Sequence, residues 1–472
     1  MVISLPQTRT MDATQPEFDP RHPEVAGIPE TRSTDDTSQH RVVIVGGGAA
    51  GLELATRLGE HLGKKKAASI TLLDCVRTHV WKPLLHEIAS GSLDAEVDSI
   101  EYIPHAARHG YRYRIGAMYA INRAKRRIYV EPSHDDEGRE VIPRRVIGYD
   151  TLVLAVGSVC NDFGIPGAKD HAIALDTSEQ AARFNRQMVN ACLRANAQYG
   201  PLRPGQLHCA IVGAGATGVE LTAELHKTMR DIAAHGLDHI DFDKLIKLTL
   251  IEAGPRILPP LPEHISRATH ALLESLGVRI LLNQRVTEVR VDGVVLNGNE
   301  LIPAEMKVWA AGIKAPDFVA KLDGLEVDRI NRIVVRETLQ ATGDDDVFAI
   351  GDCACCVLPG TTAPVPPRAQ SAHQMAAAVY KSIVNRVLGK APVKFRYQDF
   401  GSLVNLAEYG TFGNLLDRVT GRSIRVGGLF ARTMYRSLYR MHLTTVHGPL
   451  KAGLDMVTDL ITHHAEARVK LH

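Results

Sequence analysis

The chain of 472 residues is poor in cysteine, in long apolar runs and in net charge. Seven cysteines at this length do not make a disulfide framework. No stretch of about 18 apolar residues occurs, which argues against a membrane-spanning helix. The formal net charge of +2 leaves no overall basic field, so nucleic acid is not an expected partner.

The beginning of the chain lacks one further feature, the apolar core of a signal peptide. Residues 1–39 are polar and contain several prolines, so they are predicted to be a disordered extension of a protein that stays inside the cell. The remaining composition, with 45% hydrophobic residues, is that of a globular protein with room for about three domains.

The stretch RVVIVGGGAAGLELATRLG carries the first marker of a nucleotide site. Its apolar run at residues 42–45 predicts a buried parallel strand. Gly46, Gly48 and Gly51 then match G-x-G-x-x-G, which provides a tight turn, close approach of a pyrophosphate and close packing of the next helix. A second predicted strand ends at Asp74, where a carboxylate can accept hydrogen bonds from an adenosine ribose.

The same pattern recurs in HCAIVGAGATGVELTAEL. Here Gly213, Gly215 and Gly218 follow a predicted strand, and a later strand ends at Glu252. An acid at that place favours NAD over NADP, because the site for a 2′-phosphate would need an arginine instead. Arg256 follows four residues later, so it is the side chain that bears on this preference.

Three more predicted strands break at glycine and so permit a ligand to approach the backbone. They lie at residues 149–158, 304–313 and 344–354. The second contains Gly312, and the third ends in Gly351 and Asp352. An acid at the carboxyl end of a parallel strand lies in the crevice where ligands bind, so these residues are predicted to bind a cofactor.

These motifs in this order resemble the two-dinucleotide flavoprotein disulfide reductase superfamily. RTHVWKPLLHEIASGSLD, AGPRILPPLPE, VWAAGIKAPDF, GDCACC and VPPRAQSAHQ are similar to one branch, the type II NADH dehydrogenases, which are single-subunit NADH:quinone oxidoreductases. The likeness covers roughly residues 40–472. It implies an α/β fold with two Rossmann-like domains, a split FAD domain with an inserted NAD domain, plus a C-terminal helical membrane-association segment. The implied boundaries are 40–165 for the first part of the FAD domain, 166–329 for the NAD domain, 330–400 for the second part of the FAD domain and 401–472 for the membrane-association segment.

The resemblance also implies an activity. Non-covalently bound FAD would take a hydride from NADH and pass two electrons to a membrane quinone, without proton pumping. The expected partners are NADH, a membrane quinone and the membrane surface, with a homodimer possible and no metal. The expected location is peripheral, on the cytoplasmic face of the inner membrane.

Several site residues follow from the resemblance. Gln370, His373 and Glu220 are the expected catalytic residues, with Ala369, Gln370, His373 and Gln374 at the quinone pocket and Lys82 near the isoalloxazine. A quinone carbonyl could bond to Gln370, and His373 could relay protons near neutral pH. Each has an ordinary alternative: a solvated face of an amphipathic helix, a helix acid that favours the dipole for Glu220, and a solvated lysine for Lys82.

The helix that should begin after Pro366 and Pro367 has a basic residue, Arg368, where an acid would complement the helix dipole. The resemblance places this helix start beneath the pyrimidine end of the flavin. Its N–H donors would then stabilise negative charge on the reduced cofactor, which explains the missing acid.

The cysteines bear on which chemistry is excluded. The helix after the first glycine motif has no C-x-x-x-x-C pair, so thiol–disulfide chemistry is not expected. Cys353 and Cys356 form C-x-x-C, but no second ligand pair accompanies them, which favours packing over zinc. Cys160 with Cys356 could imitate the pair of a sulfide:quinone oxidoreductase, which stays an alternative. Another is an NADH-binding redox sensor or interaction protein with slow turnover.

The end of the chain has a helical periodicity. One apolar stripe is opposite a basic one, and a second apolar stripe follows. Such helices lie either in a bilayer interface or on their own domain, and the lipid-soluble acceptor favours the interface. The stripes are Phe430, Met434, Leu438 and Met441; Arg432, Arg436 and Arg440; and Leu450, Leu454, Val457 and Ile461.

Overall fold

The structure, a computed structural model, describes residues 39–96, 99–237, 239–416 and 423–427, together with residues 444 and 446. The strands are, in chain order, β1 (His40–Val45), β2 (Ala68–Asp74), β3 (Thr78–His79), β4 (Ile100–Glu101), β5 (Arg112–Ile115), β6 (Met118–Asn122), β7 (Arg127–Val130), β8 (Ser133–His134), β9 (Glu140–Ile142), β10 (Arg145–Gly148), β11 (Thr151–Leu154), β12 (Val159–Cys160), β13 (Ile173–Ala174), β14 (His208–Val212), β15 (Lys247–Ile251), β16 (Arg279–Leu281), β17 (Val286–Arg290), β18 (Gly293–Leu296), β19 (Glu300–Pro303), β20 (Met306–Trp309), β21 (Ile313–Lys314), β22 (Ile333–Val335), β23 (Val347–Ala349), β24 (Ala354–Cys356), β25 (Gly401–Asn405), β26 (Thr411–Leu416) and β27 (Ser423–Gly427).

The α-helices follow the same order. They are α1 (Ala49–Leu58), α2 (Leu85–Ser90), α3 (Tyr102–His109), α4 (Ala168–His171), α5 (Ser178–Asn196), α6 (Ala216–Gly236), α7 (Phe242–Leu245), α8 (Glu263–Ser275) and α9 (Ala369–Val387). No helix in the described part of the chain combines the length and the apolar character needed to cross a membrane.

The first parallel sheet has the strand order β23-β11-β1-β2-β5. Its central strand β1 is buried from residue 42 to residue 45, because helices or loops cover both faces of a parallel sheet. The last strand of this sheet, β23, comes from far along the chain, after the whole of the second sheet.

The second parallel sheet has the order β13-β20-β14-β15-β16, with β14 in the place that β1 has in the first. Each sheet also has a three-stranded antiparallel annex, β10-β7-β6 for the first and β17-β18-β19 for the second. Because β23 closes the first sheet only after the second is complete, the predicted fold class of two Rossmann-like units, one split and one inserted, is confirmed. The four domain boundaries themselves stay a prediction.

Helix α9 begins where the sequence predicted a helix start, directly after the two prolines. It packs against α1, the helix that follows the first glycine motif. No side chain caps its N-terminus, and its first turn has no acidic residue. The backbone N–H groups of this turn are therefore available to an acceptor.

The chain after residue 400 differs in part from the expected helical segment. Residues 401–427 contain the antiparallel sheet β25-β26-β27, with residues 417–422 between its last two strands outside the description. The expectation of helix is therefore wrong for this first part, where strand pairing to a neighbouring hairpin replaces it. The three predicted helical stripes, and the predicted extension up to residue 38, lie outside the described residues.

Candidate active site

The first glycine turn has the form that a pyrophosphate cradle requires. Gly46 has φ +100°, and a Cβ there would lie 2.3 Å from the carbonyl oxygen of Ala155. A Cβ on Gly51 would lie 1.8 Å from the carbonyl oxygen of Gly46. In contrast, nothing lies within 4 Å of a Cβ built on Gly48, the residue that precedes α1. The open space at the middle glycine and the uncapped helix start fit a phosphate group.

Asp74, at the end of β2, braces this turn. Its carboxylate accepts the N–H of Gly47 at 2.5 Å and the N–H of Val76 at 3.0 Å. Burial raises the pKa of Asp74, while these backbone donors act in the opposite direction. The carbonyl of Gly47 accepts the hydroxyl of Tyr102 at 2.8 Å. The acid that was predicted to bind a ribose therefore also fixes the backbone beside it.

The second glycine turn repeats the first. Gly213 has φ +103°, and a Cβ on Gly218 would lie 2.0 Å from the carbonyl oxygen of Gly213. Nothing lies within 4 Å of a Cβ built on Gly215, which precedes α6. Glu252 accepts the N–H of Ala214 at 2.9 Å and that of Gly254 at 2.8 Å. This turn also fits a dinucleotide phosphate.

Arg256 is turned towards backbone carbonyls. Its guanidinium donates to the carbonyl oxygens of Leu261 at 2.8 Å and Leu258 at 3.4 Å, and also to that of Pro259. These bonds hold the cation in its own loop. The arginine that follows Glu252 is therefore engaged elsewhere, as recognition of an unphosphorylated ribose requires.

Gly312, a predicted cofactor-binding residue, has φ +63°. It lies just after Ala310, whose N–H donates to Val212 at 2.8 Å beside the second glycine turn. A Cβ on Gly213 would lie 2.7 Å from atoms of Ala310 and Ala311. The segment that ends in Gly312 therefore runs along the wall of the second cradle.

Gly351 and Asp352 follow β23 at the carboxyl edge of the first sheet. Gly351 has φ +74°, and the carboxylate of Asp352 accepts the hydroxyl of Ser158 at 2.8 Å. Nζ of Lys82 donates to the carbonyl oxygen of Ser158 at 2.7 Å and to Asp176 at 3.1 Å. The structure thus brings Lys82 to the same edge as Asp352, held by an ion pair with Asp176 rather than simply solvated. Ser158 and Asp176 carried no sequence signal of their own.

The first two turns of α9 hold the segment that leads into β25. Gln370 donates to Asp399 at 3.1 Å and to the carbonyl of Gly401 at 3.0 Å, and it accepts the N–H of Phe400 at 3.0 Å. Gln374 makes two bonds to the backbone of residue 398. Ala369 is the first residue of the helix. These three residues share one end of α9, and residues 398–401 fix the side-chain amides of Gln370 and Gln374. Residues 398–401 were not predicted from the sequence to be part of the site.

His373 points instead to α1. Its Nδ1 lies 2.7 Å from a carboxylate oxygen of Glu53, which also accepts Arg57 at 3.2 Å. The side chain of Glu53 is only 1% exposed, so this is a buried carboxylate that contacts one arginine and one histidine. The hydrogen bond to Glu53 raises the pKa of His373, against the effect of its burial. The contact with Glu53 therefore shifts the titration of His373 towards the protonated form.

Glu220 occupies the first turns of α6 and is nearly buried. Its carboxylate accepts the N–H of Asn405 at 2.9 Å. Asn405 ends β25, and the residues before β25 are the ones that Gln370 holds. One short strand therefore connects two of the three predicted catalytic residues, and no motif in the sequence marks it.

The two cysteines of the sulfide alternative lie in different cores. Cys356 is fully buried in the core of the first sheet, whereas Cys160 packs against the core of the second. Burial raises the pKa of Cys356 to about 11 and that of Cys160 to about 12. A thiolate is the nucleophile in sulfur chemistry, and all seven cysteines are free thiols. This arrangement does not support a reactive pair.

Two further features of the described residues bear on other ligands. No group of three or more His, Cys, Asp or Glu side chains among them is arranged to hold a metal ion. A cavity of about 960 Å³ opens at the far end of α9, where Arg336, Leu358, Arg386 and Lys390 line it. It contains none of the predicted site residues.

Comparison with known proteins agrees with this geometry. A family model described as pyridine nucleotide-disulphide oxidoreductase matches residues 40–376. A type II NADH:quinone oxidoreductase of Haemophilus influenzae is 42% identical over 443 residues, which are 91% of this chain and 99% of that protein.

Two solved structures share the fold. NDH2 from Plasmodium falciparum in complex with NADH has a TM-score of 0.75 at 19% identity, covering 92% of this chain and 100% of that one. The sulfide:quinone oxidoreductase of Aquifex aeolicus has a TM-score of 0.67 at 19% identity, covering 89% and 95%. At these identities the structures show the fold alone. Together with the sequence matches, they place the chain among the pyridine nucleotide-disulphide oxidoreductases and, within these, in the family of type II NADH:quinone oxidoreductases.

Proposed function

We propose that this protein oxidises NADH and passes two electrons through non-covalently bound FAD to a membrane quinone, without pumping protons. The observation that carries the proposal is the presence of two complete cradles in one chain, each with open space at its middle glycine. The 42% identity to a type II NADH:quinone oxidoreductase supports the same reaction. FAD, when bound, supplies hydride acceptance and two-electron transfer, and the side chains supply binding, orientation and protons.

The first cradle, with Gly46, Gly48, Gly51 and Asp74, is proposed to hold FAD together with Gly351 and Asp352. The second, with Gly213, Gly215, Gly218, Glu252 and Gly312, is proposed to hold NADH. The carboxyl edges of the two sheets are proposed to contribute to one crevice, in which the two dinucleotides meet. Holding donor and acceptor rings in contact supplies the proximity that hydride transfer needs.

Two features stabilise negative charge that develops on the cofactor. The start of α9 offers uncapped N–H groups, and the first turn of the helix itself contains no acidic residue, which suits negative charge near the positive end of the helix dipole. Lys82 adds a cation whose position is fixed by Ser158 and Asp176. Both groups are already in position when negative charge develops, so no reorganisation of the protein is needed to stabilise that charge.

The quinone is proposed to bind beside Ala369, Gln370, His373 and Gln374. Both N–H groups of the Gln370 amide are already donated, to Asp399 and Gly401. Donation to a quinone carbonyl therefore requires exchange of one of these bonds. His373 holds its Nδ1 against Glu53, so Nε2 is the atom that can hold or deliver a proton. Glu220 is proposed to act at the nicotinamide side, by positioning or by proton supply.

Attachment to the membrane is proposed to be peripheral, on the cytoplasmic face of the inner membrane, through the amphipathic stripes after residue 430. We also propose that the attached protein can form a homodimer. Vesicle pelleting of the full chain and of a chain ending near residue 425 tests the attachment. We expect the shorter chain to remain in the supernatant, and equal pelleting of a folded shorter chain contradicts the proposal.

Anaerobic spectroscopy tests the reaction itself. Adding NADH to the purified protein should bleach the flavin absorbance, and adding a short-chain quinone should restore it. Recovery much slower than NADH-dependent bleaching would favour the sensor instead. Bleaching by sulfide but not by NADH would favour the sulfide enzyme, and Cys160→Ala should leave NADH oxidation intact. A protein that stays colourless after incubation with FAD would overturn the proposal.

A further inference from the structure

Phe163 combines two unusual features. It has φ +52°, the left-handed conformation that a bulky side chain rarely adopts, and its neighbour Gly164 has φ +69°. The residue is 61% exposed, so burial of the ring in a core does not offset the cost of this conformation. Strained residues of this kind persist where the surrounding structure holds them, and they concentrate at ligand sites.

A set of hydrogen bonds through Asn161 holds Phe163 in place. Oδ1 of Asn161 accepts the N–H of Phe163 at 3.0 Å, and its carbonyl accepts Nε1 of Trp309 at 2.8 Å. The N–H of Asn161 donates to the carbonyl of Gly312 at 3.2 Å. The loop is thus tied to β20 and to the glycine that follows it.

The ring lies directly on Gly312. A Cβ built on Gly312 would lie 2.6 Å from Cζ of Phe163, so in this arrangement the aromatic ring occupies the space that a side chain at residue 312 would need. Gly312 ends the segment whose residues Ala310 and Ala311 line the turn at Gly213. The ring therefore lies beside the segment that forms the wall of the second cradle.

We propose that Phe163 is a further NADH-positioning residue, whose ring is a platform on which one planar ring of the dinucleotide stacks. This inference rests on the proposed function, because it takes the second cradle to be the NADH site. An aromatic face suits nicotinamide or adenine equally, since both are flat and stack on any aromatic side chain. In this backbone conformation the ring lies over Gly312 and stays largely exposed.

The variant Phe163→Gly tests the proposal, because glycine adopts this backbone conformation freely. We expect its Tm to equal or exceed that of the wild type, while the KM for NADH rises about tenfold, the scale of one lost stacking contact. The kcat at saturating NADH and the KM for quinone should not change. Phe163→Tyr keeps an aromatic ring at this position and should have the wild-type KM for NADH.

A matched control and a binding measurement complete the test. Tyr199→Gly removes another exposed aromatic, in the loop after α5, and should leave the KM for NADH unchanged. Calorimetry with ADP-ribose, which does not turn over, and KM values for reduced nicotinamide mononucleotide show which of the two planar rings stacks. A lower Tm with unchanged NADH and ADP-ribose affinity overturns the inference. If the wild type itself binds neither, the proposed function has failed instead.

Discussion

The two cradles have nearly the same backbone but different neighbours. The first glycines have φ +100° and +103°, and each donates its N–H at 2.8 Å to the carbonyl of the residue directly before the acid. Asp74 and Glu252 each accept the N–H of the residue after that glycine and an N–H two residues beyond themselves. Identical bracing in two separate units indicates that the turn geometry, more than the identity of the ligand, dictates these residues.

The difference lies one turn further into each helix. Glu53 and Glu220 stand at the same place after their glycine turns, and both are nearly buried. Glu53 is bonded to two basic side chains, Arg57 and His373, whereas Glu220 accepts a backbone N–H from β25. The first acid joins α1 to α9, and the second joins α6 to β25, the strand that follows α9. Matching backbones therefore do not imply matching roles for the acids.

The largest effect should come from the third glycines. Gly51→Ala and Gly218→Ala each place a methyl group 2 Å or less from a backbone oxygen of the same turn, namely 1.8 Å and 2.0 Å. Neither atom can move without opening the turn, so we expect a loss of at least about 4 kcal/mol in the free energy of unfolding for each. Denaturant unfolding measures it. A wild-type midpoint in either variant would show that the close approach is not essential.

The middle glycines should separate the two ligands. An alanine at Gly48 or Gly215 meets no protein atom within 4 Å, so both variants should fold. Gly215→Ala should have the Tm of the flavin-loaded wild type, and Gly48→Ala should have the Tm of the wild type from which flavin has been removed, because a bound cofactor raises Tm. Gly48→Ala should lose FAD, and Gly215→Ala should keep FAD but bind NADH roughly a hundredfold more weakly, about 2.7 kcal/mol. Flavin absorbance after purification and calorimetry with ADP-ribose measure the two losses. Loss of flavin in Gly215→Ala would break the assignment of the cradles.

The sequence predicts the parts of this fold whose signals are local. Apolar strands β1 and β14, the glycines after them and the helix start at α9 all appear as short patterns, because buried parallel strands and tight turns constrain consecutive residues. The antiparallel sheet β25-β26-β27 was not predicted. Its pairing depends on contacts between separate strands, which no short sequence pattern specifies. The family resemblance implied a helical segment for residues 401–472 instead.

The candidate site was predicted residue by residue but not as a set of contacts. Glu53 and His373 lie 320 residues apart in the chain, so no spacing could reveal their bond. The same holds for Gln370, whose amide is fixed by residues that belong to no motif. Sequence patterns supply residue types at the edge of a sheet, whereas the partners that set their orientation and pKa come from the folded chain.

A smaller effect should distinguish Asp74, at the end of β2, from Glu252, which directly follows β15. Glu252→Gln removes the negative charge that disfavours a 2′-phosphate, while one amide oxygen can still accept a backbone N–H. We expect the ratio of kcat/KM for NADH to kcat/KM for NADPH to fall, because the repulsion of the 2′-phosphate is removed. The fall should be limited to about tenfold, because Arg256 remains bound to its loop carbonyls and does not bind the phosphate. Asp74→Asn is the matched change in the first cradle and should alter FAD retention without altering that ratio. An unchanged ratio in Glu252→Gln would assign the selectivity to another residue.

The smallest effect concerns Glu53, whose contribution to the free energy of unfolding should depend on pH. The bond to Glu53 raises the pKa of His373 above its ordinary value of 6.5, so this bond stabilises the fold fully at pH values below 6.5. That stabilisation is lost as the pH rises through the raised pKa of folded His373. Glu53→Gln removes it, so the difference in unfolding free energy from the wild type should shrink by about 0.5 kcal/mol between mildly acidic and alkaline pH, a modest value because His373 is partly exposed. Arg57→Gln is the control: it breaks the other bond to Glu53, and its own difference from the wild type should show no comparable shrinkage. A pH-independent difference for Glu53→Gln, measured by urea unfolding, would mean that Glu53 joins the helices through Arg57 alone.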